Sequence, residues 1–403
     1  MTDDKRAFQA IVVGGGPAGL TAAVALAEGG VATLLVGKKP APGDNRTTAL
    51  LASSVTALET LGVWPLCHER SAPLRYLRIV DDTGRLWRAP EVKFDADEIG
   101  LEAFGWNIEN RVLVEALVAR ARTLPNLDIV EDEVLGVVTA ADHAAVELRH
   151  GGLLTAPLIV GADGGKSLCR EAALIDTDAH RYRQVALTVC FRHTRPHHET
   201  STEFHTPSGQ CTVVPLPGDR ASLVWVLDPR VADETAALED AELSRAIERA
   251  IHSILGKVTV EPGRGLFPLS IVTARSFGRN RIALVGEAAH VIPPVGAQGL
   301  NLGLRDAATI AELAAAALRE HHDIGGELVL ARYEKMRRAD VGSRTLAVDL
   351  LNRSLLTDLL PVQSARGLGL YMLDRIGPLR RAIMREGVAP RAAQPRLMRG
   401  ELI

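Results

Sequence analysis

The sequence predicts an α/β fold, and three short stretches carry that prediction. Each is an apolar run that ends in glycine: Ile11-Val12-Val13 before Gly14, Leu158-Ile159-Val160 before Gly161, and Ile282-Ala283-Leu284-Val285 before Gly286. Short apolar runs bounded by turn residues read as strands buried on both faces, as in a parallel sheet. A Rossmann-like domain is the expected architecture.

The first stretch, "AIVVGGGPAGLTAAVALAEGG" at 10–30, is the most specific. Gly14, Gly16 and Gly19 have the G-x-G-x-x-G spacing, with Pro17 and Ala18 between them. Strand, glycine turn and Ala/Leu-rich helix follow in the order a dinucleotide site needs. Gly14 permits the tight turn, Gly16 lets a pyrophosphate approach the backbone, and Gly19 lets helix and strand pack closely. The helix start adds free amides and positive potential.

The second strand, "VATLLVG" at 31–37, ends unusually. An acid is expected at its end to hold the ribose hydroxyls. Gly37 stands there, followed by Lys38 and Lys39. Loss of the acid beside lysines is one way to accept a 2′-phosphate, so FAD and NADP both remain open at this point. If the strand end faces the ribose, Gly37→Glu restores a bond of about 1.5–3 kcal/mol. Tighter binding of that variant is the expectation.

The second stretch, "LIVGADGGKSLCRE" at 158–171, brings Asp163 to the end of its strand, with Ser167 and Arg170 at a helix start. The third runs from 281 to 318. Glu287 follows the strand, Pro293-Pro294 stiffens the loop, and Gly296-Ala297-Gln298-Gly299 opens a long apolar helix through Leu300 and Asn301. That helix start offers free amides to a partly negative ligand group.

Composition sets the frame. The 403 residues suffice for two domains, and a formal charge of −3 implies no general attraction to nucleic acid. Cys67, Cys169, Cys190 and Cys211 lie far apart, without metal-ligand or redox spacing. "MTDDKRAFQA" is polar, and no 18-residue apolar run exists. A cytoplasmic protein without a bound metal is expected.

Together the three segments resemble the FAD-dependent aromatic hydroxylases of the p-hydroxybenzoate hydroxylase type. "DNRTTALLASSVTALETLGVW" (44–64), "WNIENRVLVEAL" (106–117), "EFHTPSGQCTVVPLPGDRASLVW" (203–225) and "YEKMRRADVGSRTLAVDLLNRSLL" (333–356) extend the resemblance to its ubiquinone-biosynthesis branch. Two positions depart from that pattern: Gly37 replaces a glutamate, and Glu287 replaces an aspartate.

The resemblance implies FAD as cofactor and NAD(P)H as transient reductant. No second G-x-G-x-x-G follows a strand, so the reductant has no Rossmann domain of its own. O₂ would add at flavin C4a, and one oxygen of the hydroperoxide would pass to a phenolic ring. FAD contacts are expected from Gly14, Gly16, Pro17, Ala18, Gly19, Arg46, Arg111, Asp163, Glu287, Gly299, Leu300 and Asn301. The loop with Pro294, Gly296 and Gln298 is the expected flavin-ring site. His290 has the chemistry of a base but sits among small apolar residues, so no general base is assigned.

The FAD-binding domain is expected from 1–70, 100–180 and 275–340. An inserted β-sheet substrate domain takes 71–99 and 181–274, and C-terminal helices fill 341–403, with breaks at Pro361 and Gly377-Pro378. The expected substrate is a lipid-borne, prenylated phenol of ubiquinone biosynthesis. A soluble aromatic substrate and an inactive flavin-binding scaffold are the alternatives. Leu373, Ile376, Leu379 and Ile383, interleaved with Arg375, Arg380, Arg381 and Arg385, suit docking on the inner membrane or a biosynthetic complex.

Overall fold

The computed structural model describes residues 7–38, 46–84, 90–356, 369, 371–372, 375–388 and 394–403. Its first sheet has six strands, in the order Gly278–Arg279, Ile282–Leu284, Leu158–Gly161, Ala10–Val13, Thr33–Val36, Leu127–Val130. All its pairings are parallel except that of the edge strand Gly278–Arg279. The three glycine-ended runs are therefore adjacent, in register Ile11 with Ile159 and Ile159 with Ile282. Parallel neighbours point the same way, so their three loops emerge at one edge.

The helices Pro17–Glu28, Asn110–Ala121 and Gln298–Arg319 pack into the core of this sheet through residues such as Leu26, Leu113 and Ile310. A three-stranded meander, Val134–Thr139, Ala144–Leu148 and Gly152–Ala156, adds Ala144, Val146 and Leu148 to the same core.

A second, mixed sheet has eight strands: His290–Val291, Val258–Ala274, Thr177–His193, Arg220–Leu227, Gly209–Leu216, Thr200–Thr206, Tyr76–Asp81 and Val92–Asp95. Alternation divides its faces. Leu187, Val189 and Phe191 join Leu243, Ile247 and Ile251 in a core beneath the helix Asp240–Ala250. Ala186, Thr188 and Cys190 line a cavity. A small sheet of Thr47–Leu51, Gly105–Glu109 and Ser71–Pro73 bridges the two large ones. Thr47 Oγ1 donates to Ser222 Oγ at 2.9 Å, and Asn107 Nδ2 donates to Pro215 O at 2.8 Å.

Glu327–Leu356 is one helix, running through the boundary expected at 340. Pro361 lies outside the described residues. Gly377-Pro378 starts a helix, Gly377–Val388, rather than only breaking one. Proline suits a first turn, where its missing N–H costs nothing. This helix turns Arg380, Met384 and Val388 inward. Arg380 donates to both oxygens of Glu98 at 2.7 Å and lies over the Phe94 ring.

Below the flavin-loop helix lies a buried ionic network. Asp306 accepts from Arg337 Nε at 2.6 Å, from His290 Nε2 at 2.6 Å and from Gly286 N at 3.0 Å. Asp340 joins Arg337 and Arg305 at 2.8 and 2.9 Å. Burial by itself would raise the Asp306 carboxyl, but His290 and Arg337 outweigh it and hold its pKa at about 2.

Because the folded pKa lies below the unfolded value of about 3.9, the Asp306 contribution is full above that value. It is lost as pH falls towards about 2. Asp306→Asn leaves buried Arg337 only Asp340, which it shares with Arg305, and is expected to cost about 3–5 kcal/mol at neutral pH. It should also flatten the acid limb of stability, as denaturant unfolding between pH 2 and 7 will measure.

Candidate active site

The three loops and the inner face of the large sheet enclose a cavity of about 420 Å³. Its floor is the glycine turn. Gly14 has φ 126°, and a β-carbon there would lie 2.2 Å from Ala162 O. A β-carbon on Gly19 would lie 2.0 Å from Gly14 O. Gly16 differs: nothing lies within 4 Å of where its β-carbon would be. Gly16 precedes the helix start without a side-chain cap, so the turn presents open space beside uncapped amides.

The opposite rim is the loop before Gln298–Arg319. Gly296 (φ 63°) and Ala297 (φ 54°) are both left-handed, a strained choice for alanine. No side chain caps this helix either. Gln298 Nε2 donates to Gly296 O at 2.9 Å, while its buried Oε1 has no partner among the described residues. A β-carbon on Gly299 would meet nothing within 4 Å. Two uncapped helix starts, two open glycine positions and one continuous cavity fit FAD: a diphosphate at Gly16, a ring towards Gly299 and Pro294.

Gly16, Pro17, Ala18, Gly19, Arg46, Glu287, Pro294, Gly299 and Leu300 line this cavity. Other expected contact residues stand elsewhere. Asp163 is held within its own segment, accepting from Ser167 Oγ at 2.5 Å and Cys169 N at 3.1 Å. Asn301 is fully buried and clasps the strand Thr47–Leu51, accepting from Leu51 N and donating to Ala49 O. Arg111 pairs with Glu109 at 3.0 Å outside the cavity, and its neighbour Asn110 lines it instead. Gly14 and Gly296 shape the backbone. His290 borders the cavity but is tied through Nε2 to Asp306.

The sheet wall contributes residues the sequence reading did not single out: Ala186, Thr188, Cys190, Ser222, Val224 and Phe267. The alternation in "QVALTVCF" held the signal, since small or polar residues there share one face. Burial, followed by Glu109 and Glu261, pushes the Cys190 thiol up to about 12. It is a neutral wall group, not a thiolate.

The end of the second strand requires a correction. A β-carbon at Gly37 would lie 2.4 Å from Gly15 N and 2.8 Å from Gly15 Cα. Its φ is not left-handed, so glycine is needed there for space. The position faces the glycine turn, not an open ribose site. Lys38 pairs with Glu133 at 2.9 Å on the surface, and Lys39 lies outside the described residues.

Gly37→Ala should therefore destabilise the apoprotein by about 1–3 kcal/mol and weaken FAD binding. Gly37→Glu should be worse than Ala, not better. FAD titration of the three proteins checks the order, and tighter binding by the Glu variant would show that the turn can yield.

Comparison with known proteins agrees with this geometry. Residues 7–347 match the family described as FAD binding domain. The chain is 34% identical over 400 residues to ubiquinone hydroxylase UbiL of Rhodospirillum rubrum, covering 97% of this chain and 92% of that protein. It is 32% identical over 383 residues to 3-demethoxyubiquinol 3-hydroxylase of Escherichia coli, covering 93% and 96%. Among solved structures, p-nitrophenol 4-monooxygenase PnpA of Pseudomonas putida superposes with a TM-score of 0.79 at 20% identity, over 96% of this chain and 99% of that one. These relationships make the chain a member of the FAD-dependent aromatic hydroxylases, in the branch that holds the ubiquinone hydroxylases.

Proposed function

We propose that this monooxygenase hydroxylates a prenylated phenolic ring of ubiquinone biosynthesis, with NAD(P)H and O₂. The observation that carries the reading is one shared cavity: the cofactor cradle faces a wall of Ala186, Val224 and Phe267, with no partition between them. When bound, FAD supplies the redox and oxygen-transfer chemistry, and the protein supplies position, electrostatics and a dry wall.

The uncapped start of Gln298–Arg319 favours negative charge at the ring end of the cavity. Pro294 borders the same end. The apolar wall holds an aromatic ring and limits water, while Thr188 and Ser222 offer hydroxyls to a phenol. His290 acts as a structural group, locked from behind by Asp306. Likeness to the two ubiquinone-pathway hydroxylases supports the substrate class. The expected FAD-binding segments (1–70, 100–180, 275–340) supply every strand of the six-stranded sheet, which supports that division, although His290–Val291 and the start of Thr177–His193 join the eight-stranded one.

Meeting a lipid-borne substrate calls for a docking face. No helix among the described residues is long and apolar enough to cross a membrane. The helix Gly377–Val388 instead turns its apolar stripe outward. Ile376, Leu379 and Ile383 are 40%, 37% and 49% exposed, and Tyr371 and Met372 are exposed nearby in sequence. Arg375, Arg381 and Arg385 are exposed among them. An apolar stripe edged by arginine suits an anionic bilayer surface, at the inner membrane in this reading. Leu373 lies outside the described residues.

Three measurements test this. Substrate-stimulated NAD(P)H oxidation, with mass spectrometry of products from prenylated and soluble phenols, decides the substrate; product from soluble phenols alone would overturn the prenyl reading. Gly299→Val should fold yet lose flavin-dependent turnover at least tenfold, because its side chain enters open space in the cavity rather than packed core. The protein should float with phosphatidylglycerol vesicles at low salt, and Ile383→Asp should abolish flotation without changing turnover of a soluble phenol.

A further inference from the structure

Beside the flavin cavity lies a basin of about 360 Å³ whose charged lining is Glu109, Arg111, Arg192, Arg220 and Glu261. The residues come from four places in the fold: the strand Gly105–Glu109 with the helix that follows it, and the strands Thr177–His193, Arg220–Leu227 and Val258–Ala274. Cys190 lines both the basin and the flavin cavity, so the two are neighbours along one wall.

The charges are layered. Glu109 and Glu261 lie inside, with side chains 10% and 19% exposed. Arg220 bridges them, donating to Glu261 at 2.8 and 2.6 Å and to Glu109 at 3.3 Å. The hydrogen bonds it donates to Glu261 come first among the causes that raise its pKa. Arg111 and Arg192 lie outside, 50% and 72% exposed. Arg111 makes one hydrogen bond to Glu109, and Arg192 comes no closer than 3.6 Å to Glu261. Three guanidiniums against two carboxylates leave one positive charge, with spare N–H donors facing solvent.

The helix Asn110–Ala121 adds a second observation. Its N-cap residue Glu109 makes no side-chain cap, and its first turn holds no acid. Arg111 places a cation at the positive end of the helix, and a single hydrogen bond to Glu109 offsets it, so a further anion is favoured there. A fork of guanidiniums beside an uncapped helix start suits a diphosphate.

We propose that this basin binds the diphosphate of the reduced pyridine nucleotide, with the nicotinamide directed past Cys190 into the flavin cavity. The proposal rests on the monooxygenase reading above. It gives the reductant a site even though the chain has no second Rossmann turn.

The test uses FAD-loaded protein and ADP-ribose, which carries the diphosphate but no nicotinamide. Calorimetry should show binding by the parent, weaker by about tenfold in Arg192→Gln and partly restored in Arg192→Lys. FAD affinity should not change. In turnover, Arg192→Gln should raise KM for NAD(P)H with kcat unchanged. Equal ADP-ribose affinity in parent and Arg192→Gln, or no binding by the parent, would overturn the proposal. The titration needs no hydroxylation, so a wrong substrate assignment leaves it decisive. Flotation with phosphatidylglycerol vesicles is the second arm: loss of vesicle binding in Arg192→Gln with ADP-ribose affinity intact would assign the basin to a lipid phosphate and overturn it as well.

Discussion

Close approach of bare backbone is the constraint on which the site depends. Gly14 meets Ala162, Gly19 meets Gly14, Gly37 meets Gly15, and a β-carbon on Gly303 would lie 3.1 Å from Gly286 Cα. Segments distant in sequence thus touch backbone to backbone, and only the Ala18 methyl group stands between the glycine turn and the Gly286–Gly303 pair. A cofactor held mainly by amides needs that closeness, because backbone N–H groups reach only as far as the chain itself. Gly16 and Gly299 are different in kind, since their missing side chains leave room for ligand rather than for protein.

The buried charges beneath the cavity answer a mechanical need. The loop 286–301 contains left-handed residues at Gly286, Gly296 and Ala297, and the alanine costs energy to hold there. Asp306 fastens one end of that loop through Gly286 N and His290, and Asn301 fastens the other to the strand Thr47–Leu51. Asp306 and Asp340 face Arg337 and Arg305 directly, so these four buried charges balance one another beneath the loop. The uncapped helix start then sets the local potential.

Much of this was legible in the sequence, because glycine spacing and strand order are local signals. The three apolar runs gave the strands, and their glycines gave the cradle. What escaped was whatever depends on direction. "WNIENR" marks a helix start, but only the folded turn shows Asn110 facing the cavity and Arg111 facing away. Asp163 and Asn301 have the polarity of ligand contacts, yet neighbouring amides and hydroxyls take up their oxygens. Gly37 looked like a missing acid because sequence reports which side chain is absent, not what would stand in its way. The helix Glu327–Leu356 spans the expected boundary at 340, since a helix can serve two regions without any change in its own pattern.

The strand Thr177–His193 carries its two duties on alternate residues. Leu187, Val189 and Phe191 hold the sheet to its helices, while Ala186, Thr188 and Cys190 form the chamber wall. Inheritance can therefore act on the two sets separately. Exchange at Thr188 and Cys190 reshapes the chamber at its wall, whereas exchange at the odd positions, and at Ala186 beside Val226 and Leu269, is filtered by the core. A lineage built on this strand can drift from one aromatic compound to another without first acquiring a reserve of stability.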